Sequence, residues 1–127
     1  MLDSAIHAQL ASVLPAAALL TTAEETRPYE CDGLTMYREL PAAVAIPDNE
    51  AQLVEVLRRC HAAGVPVVAR GAGTSLSGGA LPDKRGVMVA MAKLRKFVAI
   101  DPLAQTAVVQ PGVTNLANSV AAAPFGL

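Results

Sequence analysis

Apolar positions near the N-terminus of the chain recur at the spacing of an α-helix. They fall on one helical face of residues 6–14: Ile6, Leu10, Val13 and Leu14. Asp3 or Ser4 can cap this helix at its start, and Pro15 ends it. Residues 21–40 carry few periodic apolar positions, and we interpret them as a connecting segment.

The pattern then changes to a strand, a helix and a second strand. The run 42–46 is short, apolar and closed by Pro47, which is typical of a buried strand. Asp48 stands where the N-cap of a helix belongs, and Gly64 can supply the left-handed residue after its last turn. The apolar positions of this helix are Leu53, Val54, Leu57 and Cys60. A second strand, 65–69, follows, and strands connected through a helix are expected to be parallel.

Further apolar runs and a final helix complete the pattern. The runs 86–91, 97–100 and 106–110 are interpreted as strands, the last two as a connected pair. Thr114 can cap a helix over 115–123, which a proline then ends. Helices mixed with a small, partly parallel sheet predict an α+β fold.

Length and composition predict a soluble domain with no nucleic-acid partner. A chain of 127 residues has the usual size of one domain and can bury a core. Its net charge is −1, and its 10 Lys and Arg residues are scattered along the sequence. With two Phe, two Tyr and no Trp, it also lacks the aromatic side chains on which nucleic-acid bases stack.

The sequence shows no targeting segment, no transmembrane segment and no metal-binding spacing. The longest apolar run, 14–20, contains a proline and is far shorter than the ~20 residues that cross a bilayer. The first basic residue is Arg27, so a basic leader is absent. Cys31 and Cys60 form neither a C-x-x-C motif nor a cluster with histidine. We therefore expect no metal, and a location in the reducing cytoplasm.

The strand 65–69 runs into a loop that is rich in glycine and hydroxyl side chains. The glycines are Gly71, Gly73, Gly78 and Gly79, and the hydroxyls are those of Thr74, Ser75 and Ser77. Such a loop can bend sharply and expose consecutive backbone N–H groups. A concave row of N–H groups favours anions, above all phosphate oxygens. The loop therefore predicts a ligand that carries phosphate.

Two well-known phosphate loops do not match this one. The dinucleotide-binding fingerprint G-x-G-x-x-G would require glycine where Leu76 stands, and would require a helix to follow. The P-loop spacing fits Gly73 and Gly78, but Gly79 and Ala80 replace its Lys and its Ser or Thr. A kinase or NTPase is thereby disfavoured. What remains is a nest between two strands that suits a diphosphate.

Four motifs of the chain together resemble a known family. The segment 66–79 is similar to the pyrophosphate loop of FAD-linked oxidases with the PCMH-type (vanillyl-alcohol oxidase) flavin domain. Segments 29–34, 41–47 and 109–115 match the same family in the same order, so that the similarity covers nearly the whole chain. Within the family, the chain most resembles glycolate oxidase D subunits and D-lactate dehydrogenases. The fold implied is the first subdomain of a PCMH-type FAD-binding domain.

The resemblance implies FAD-binding residues in two segments. Those that surround the diphosphate are Arg70, Gly71, Ala72, Gly73, Thr74 and Ser75, and those that complete the loop on the flavin side are Ser77, Gly78 and Gly79. The segment that approaches from the neighbouring strand comprises Pro111, Gly112 and Val113. Some relatives attach flavin through a His or Cys of the loop. Because neither occurs between 66 and 82, non-covalent FAD is expected here.

Several of these residues also have a purely structural interpretation. Arg70 could contact the diphosphate or pair with another part of the protein, and Gly112 could contact FAD or only turn the chain. His7 and His61 are expected on solvated helix faces, because neither has an adjacent carboxylate or serine that would form a catalytic pair. The basic run 93–96 is interpreted as a solvated turn.

The resemblance further implies what the chain does and what it lacks. Residues 1–40 are expected to form a helical and connecting segment, and residues 41–127 the N-terminal half of the flavin domain. The family oxidises 2-hydroxy acids such as glycolate and D-lactate by hydride transfer to flavin, using residues downstream of the part matched here. No catalytic residue is therefore expected in this chain, nor turnover by it alone; other oxidase subunits are further implied partners. The alternative is a truncated, non-catalytic fragment that folds, or self-associates through exposed cleft surface, without functional flavin binding.

Overall fold

The computed structural model describes residues 2–127. The helices are α1 (Ser4–Ala11), α2 (Ala23–Thr26), α3 (Glu50–Ala62) and α4 (Asn115–Ala122). The strands are β1 (Leu19–Leu20), β2 (Ala43–Ala45), β3 (Val67–Arg70), β4 (Val87–Ala90), β5 (Phe97–Asp101) and β6 (Thr106–Val109). Short 3₁₀ turns cover Ala16–Ala18, Arg27–Tyr29 and Ala123–Phe125.

Four of the strands form a mixed sheet in the order β1-β2-β4-β3. Strands β2 and β3 are both parallel to β4, and β1 is antiparallel to β2. Every residue of β4 is buried, as expected of a central strand in a parallel sheet. Strands β5 and β6 form a separate antiparallel hairpin. The predicted α+β fold with a small, partly parallel sheet is confirmed.

The main core lies between the sheet and helices α1 and α3. Its buried members include Ile6, Leu10, Val56, Cys60, Val87 and Val89. The Arg59 guanidinium on α3 adds a polar contact, since it donates hydrogen bonds to the carbonyl oxygen of Gln9 at 2.6 Å and to Ser12 Oγ at 2.7 Å. Helix α1 therefore shares one core with the sheet that follows it in sequence.

The opposite face of the sheet carries a second, smaller core. Val44, Met88 and Ala90 are buried there, and Tyr29 and Val68 pack against them as partly buried side chains. Tyr29 lies just before the segment 30–34, so that segment is held beside the end of β3.

The N-cap of α3 differs from the prediction by one residue. The cap is Asn49, whose Oδ1 accepts a hydrogen bond from the N–H of Gln52 at 3.0 Å. Asp48 does not cap the helix, because its carboxylate pairs instead with Lys93 at 2.8 Å. The prediction of Asp48 as the N-cap is therefore wrong.

The buried face of α3 is also narrower than its apolar pattern indicates. Val56 is 0% exposed, whereas Val54 and Leu57, two of the apolar positions in the predicted pattern, are each 42% exposed. Leu53, Val56 and Cys60 follow i, i+3, i+7 spacing and form a single stripe, of which Leu53 is half-buried. Only this stripe packs against the core.

The predicted connecting segment 21–40 contains more regular structure than its sequence indicates. Helix α2 begins with a capping box, in which the Glu25 N–H donates to Thr22 Oγ1 at 3.3 Å and the Glu25 carboxylate accepts from the Thr22 N–H at 3.1 Å. Hydrogen bonds from the Thr22 backbone and hydroxyl, and from the Thr21 backbone, lower the pKa of Glu25. Strand β1 was not predicted either, because its two residues are too few to form a periodic pattern.

The later elements agree with the sequence, and the structure adds the order of the strands. The hairpin and the final helix are confirmed, and Thr114 Oγ1 caps α4 by accepting from the N–H of Ala117 at 3.2 Å. Strands β2 and β3 are parallel as predicted, yet β4 lies between them. Within residues 2–127, none of the helices has the length and apolar character needed to cross a bilayer.

Removing the core side chain of Val56 should destabilise the fold, and removing a neighbouring exposed side chain should not. We expect Val56→Ala to lower the free energy of unfolding by about 2 kcal/mol, because it deletes methyl groups that are fully buried. The matched control Val54→Ala should stay within about 0.5 kcal/mol of the unmodified chain. Urea unfolding followed by circular dichroism measures both. Equal losses would contradict the assignment of the buried stripe.

The two cysteines should differ in their reactivity. Burial raises the pKa of the Cys60 thiol, so at neutral pH less of the nucleophilic thiolate is present than for a free cysteine. Cys31 is only partly buried. We expect iodoacetamide to label Cys31 in the native chain, and to label Cys60 only after unfolding or at higher pH. A Cys31→Ser variant should therefore resist labelling until denatured; rapid labelling of this native variant would contradict the buried position.

Candidate functional site

The glycine loop leaves the sheet at the carboxyl ends of its parallel strands. Arg70, the last residue of β3, pairs with Ala90, the last residue of β4. The N–H of Met91 continues this pairing by donating to the Arg70 carbonyl oxygen at 2.9 Å. The loop after β3 and the turn after β4 therefore start side by side. This edge is where ligands bind in open sheets with parallel strands.

The loop presents backbone donors that the protein itself does not use. Within residues 2–127, the N–H groups of residues 71–76 have no hydrogen-bond acceptor. Further along, the N–H of Ser77 donates to Ser75 Oγ at 3.3 Å. Gly73 and Gly78 adopt positive φ angles of 72° and 73°, which lets the chain turn twice over a short distance. A run of free N–H groups in such a loop suits an anion.

The segment 29–34 supports this loop from behind. A Cβ placed on Gly33 would lie 2.7 Å from the carbonyl oxygen of Thr74 and 3.0 Å from that of Ser75. The two backbones therefore pass each other so closely that only glycine fits at position 33. With its carbonyl groups held on this side, the loop is fixed in place by the protein.

Arg70 connects the same segment to the loop. Its Nη1 donates a hydrogen bond to the carbonyl oxygen of Cys31 at 2.7 Å, and its Cζ lies 5.6 Å from the centre of the Tyr29 ring. A Cβ on Gly73 would lie 2.2 Å from the same Cζ atom, so the guanidinium occupies the space next to that glycine. The structural pairing considered for Arg70 is therefore present. The side chain acts as a brace between two loops.

Asp32 lies in the supporting segment and is almost completely buried, with 4% of its surface exposed. Its Oδ1 accepts a hydrogen bond from the N–H of Leu34 at 2.9 Å, which closes a local turn. Its Oδ2 is buried and has no donor among the described residues. The carboxylate therefore helps to shape the segment that carries Gly33.

A cleft of about 400 Å³ separates the glycine loop from the turn that precedes α4. Five of the residues expected to bind the cofactor line it: Gly71, Ala72, Pro111, Gly112 and Val113. The start of the glycine loop and the turn 111–113, some forty residues apart in sequence, thus lie at one cleft. The other seven expected residues lie outside this cleft. They are Arg70 at the end of β3, and Gly73, Thr74, Ser75, Ser77, Gly78 and Gly79 in the loop.

Gly112 holds one wall of the cleft against the turn after β4. Its N–H donates to the Leu94 carbonyl oxygen at 2.8 Å. A Cβ at this position would lie 2.4 Å from the carbonyl oxygen of Met91 and 2.7 Å from that of Leu94. Glycine is therefore required here by close backbone packing, in addition to its place on the cleft wall.

Sequence reasoning missed four residues that also line the cleft. They are Ala92 and Arg95 from the turn after β4, and Thr114 and Asn115 from the start of α4. The run 93–96 had been interpreted as a solvated turn. Its position after a buried strand was the available signal, because the ends of neighbouring parallel strands meet at one edge.

His7 and His61 lie on exposed helix surfaces, in agreement with the sequence analysis. No group of three or more His, Cys, Asp or Glu residues between positions 2 and 127 is arranged to hold a metal ion.

Comparisons with known proteins agree with this geometry. Residues 41–127 match the family described as FAD binding domain. The glycolate oxidase subunit GlcD of Escherichia coli (strain K12) is 50% identical over 114 residues, which are 90% of this chain and 23% of that protein. A D-2-hydroxyglutarate dehydrogenase of Stutzerimonas stutzeri (strain A1501) is 27% identical over 113 residues, or 89% of this chain and 24% of that protein.

A solved structure supports the fold independently. The structure of p-cresol methylhydroxylase with substrate bound superposes with a TM-score of 0.83 at 22% identity, over 99% of this chain and 26% of that one. At this identity the likeness concerns the fold alone. The chain thus spans about a quarter of the length of the proteins it matches. Since the family match covers residues 41–127, this chain belongs to the FAD binding domain family, and its cofactor is FAD.

Proposed function

We propose that this chain supplies the FAD-diphosphate-binding part of an oxidoreductase that acts on 2-hydroxy acids such as glycolate or D-lactate. The observation that carries the proposal is the row of free N–H groups at residues 71–76, placed at the carboxyl edge of the parallel strands. The names of two relatives, glycolate oxidase and D-2-hydroxyglutarate dehydrogenase, refer to acids of this class. Residues 41–127 would form the N-terminal half of the flavin domain, behind the segment 1–40.

The donors of the loop fit the chemistry of a diphosphate. Phosphate oxygens accept several hydrogen bonds at once, and free N–H groups at a fixed loop can supply them without a change of protonation. Nothing lies within 4 Å of a Cβ built on Gly71 or Gly79, so both positions border open space. A ligand can therefore approach the backbone there. This contrasts with Gly33 and Gly112, where protein backbone fills the corresponding space.

The roles of the chain in the proposed reaction are to bind and to orient. Bound FAD supplies the capacity to accept a hydride from the 2-hydroxy acid. The hydroxyls of Thr74, Ser75 and Ser77 would add donors beside the backbone N–H groups. The base and the groups that hold the substrate would come from parts of such a protein that are not in this chain. Other oxidase subunits would be partners, and the cytoplasm its location, which its free thiols suit.

A second candidate function is self-association without flavin binding, and one observation favours it. The hairpin, α4 and the 3₁₀ turn that follows α4 expose several large apolar side chains: Val98 at 67%, Leu116 at 74%, Val120 at 66% and Phe125 at 51%. Exposed apolar side chains gathered on neighbouring elements are commonly covered by another surface. A second copy of the chain could provide that cover.

Flavin binding by the purified chain separates the two candidates. We expect FAD added to the chain to elute with it in gel filtration, and to titrate with a single affinity. The variant Gly71→Val should bind FAD at least about tenfold more weakly, because its side chain points into the open space of the cleft. Its φ angle is not in the left-handed region, so the fold should be unaffected.

The matched control is Ala104→Val, which adds apolar atoms at an exposed turn of the hairpin, away from the cleft. It should bind FAD as the unmodified chain does. Equal affinity of the Gly71→Val and Ala104→Val variants would contradict the placement of the diphosphate. Absence of flavin from the eluted protein, together with elution as a larger assembly, would favour the second candidate.

The flavin should be released when the protein is denatured. We expect acid precipitation of the FAD-loaded chain to leave the flavin in the supernatant, because residues 66–82 contain no His or Cys that could attach it. The measurement is the flavin absorbance of supernatant and pellet. Yellow, flavin-containing pellet after washing would show a covalent bond and overturn this part of the proposal.

A further inference from the structure

The cleft between the glycine loop and the turn before α4 has a single source of charge. Among the described residues that line it, Arg95 is the only charged one. The others contribute backbone groups, small apolar side chains, and the hydroxyl and amide of Thr114 and Asn115. A dianionic group placed in the cleft would therefore meet one cation.

The remaining polar features of the cleft also favour an anion. The N–H groups of Gly71 and Ala72 are unused by the protein within residues 2–127. The wall at Asn115 is the first turn of α4, which carries no acidic residue. The start of a helix bears a partial positive charge. The charges at the cleft therefore agree in sign: the free N–H groups of the loop and the start of α4 are partially positive, and the Arg95 guanidinium is positive.

Arg95 is positioned but not paired. Its Nε donates a hydrogen bond to the carbonyl oxygen of Ala92, which anchors the side chain within its own turn. No carboxylate among residues 2–127 lies within ion-pair distance of its guanidinium. Its two terminal nitrogens are therefore available, and a guanidinium can bind two phosphate oxygens at once.

Two other basic side chains nearby are already engaged, and Lys96 does not line the cleft. Lys93 pairs with Asp48 at 2.8 Å. Arg70 donates to the Cys31 carbonyl oxygen and lies over the Tyr29 ring, so that it braces the loop. The cation that remains available at the cleft is that of Arg95.

We propose that Arg95 is a binding residue for the diphosphate of the cofactor, and that Arg70 acts on the same group only indirectly, by holding the loop. This inference rests on the proposed function, since it assigns a cation to the same diphosphate. It also revises the part that the sequence suggested for the run 93–96. One residue of that turn belongs to the cofactor site.

The test compares Arg95→Gln with Lys96→Gln, which removes the same charge from the adjacent, exposed position outside the cleft. We expect the first variant to bind FAD at least about tenfold more weakly, and the second to bind it normally. Riboflavin, which lacks phosphate, should show no such difference. The affinity of Arg95→Gln should also depend less on salt, and Arg95→Lys should recover part of the loss. A merely structural role would not produce this dependence on phosphate and salt.

The outcomes separate this inference from the proposed function. If the chain binds FAD and both glutamine variants bind it equally, the inference is wrong and the proposed function stands. If the chain does not bind FAD, titration with inorganic pyrophosphate decides. Binding that is lost in Arg95→Gln would keep the anion site and overturn the flavin proposal, whereas no binding of either probe would overturn both.

Discussion

The position of β4 is the constraint on which the site depends. This buried strand is inserted between β2 and β3 and is parallel to both. Its last residue pairs with the last residue of β3, so the glycine loop and the turn 91–96 leave the sheet at adjacent points of one edge. The turn before α4 then packs against the second of these connections through Gly112. The strand order therefore fixes the location of the cleft before any of its side chains is considered.

Glycine serves two opposite purposes in this chain. At Gly33, Gly86 and Gly112, a Cβ would lie between 2.4 and 2.7 Å from a backbone oxygen, so these positions allow protein segments to pass in close contact. At Gly71 and Gly79, nothing lies within 4 Å of such a Cβ, and the absence of a side chain leaves room for a ligand instead. The first group makes the frame rigid and the second keeps the site open. The sequence alone does not distinguish these two groups, because the residue is glycine in both.

The elements that could be predicted from the sequence are those with strong local signals. The proline at the start of the hairpin connection, the Thr114 cap and the alternation of apolar runs with turn residues are local, and the hairpin and α4 follow from them. The insertion of β4 between β2 and β3 depends on contacts between residues far apart in sequence. A β-α-β unit whose two strands are direct neighbours has the same local sequence pattern, so the pattern does not reveal the insertion. The proposed role of Arg95 depends on the same long-range arrangement. In the sequence it resembles any charged residue of an exposed turn, and only the position of this turn beside the end of β3 places it at the cleft.

The close contacts at Gly33 and Arg70 explain how a loop so rich in glycine can still hold a defined shape. Glycine loses more conformational freedom on folding than any other residue, so an unsupported loop of this kind would have to be ordered by its ligand. Here the segment 29–34 supports the loop, because Gly33 lies closely against the Thr74 carbonyl oxygen and the Arg70 guanidinium donates to the Cys31 carbonyl oxygen. Part of the ordering is thereby completed during folding. Since that support precedes residue 41, where the family match begins, the N-terminal segment contributes to the structure of the loop at which we propose that the cofactor binds.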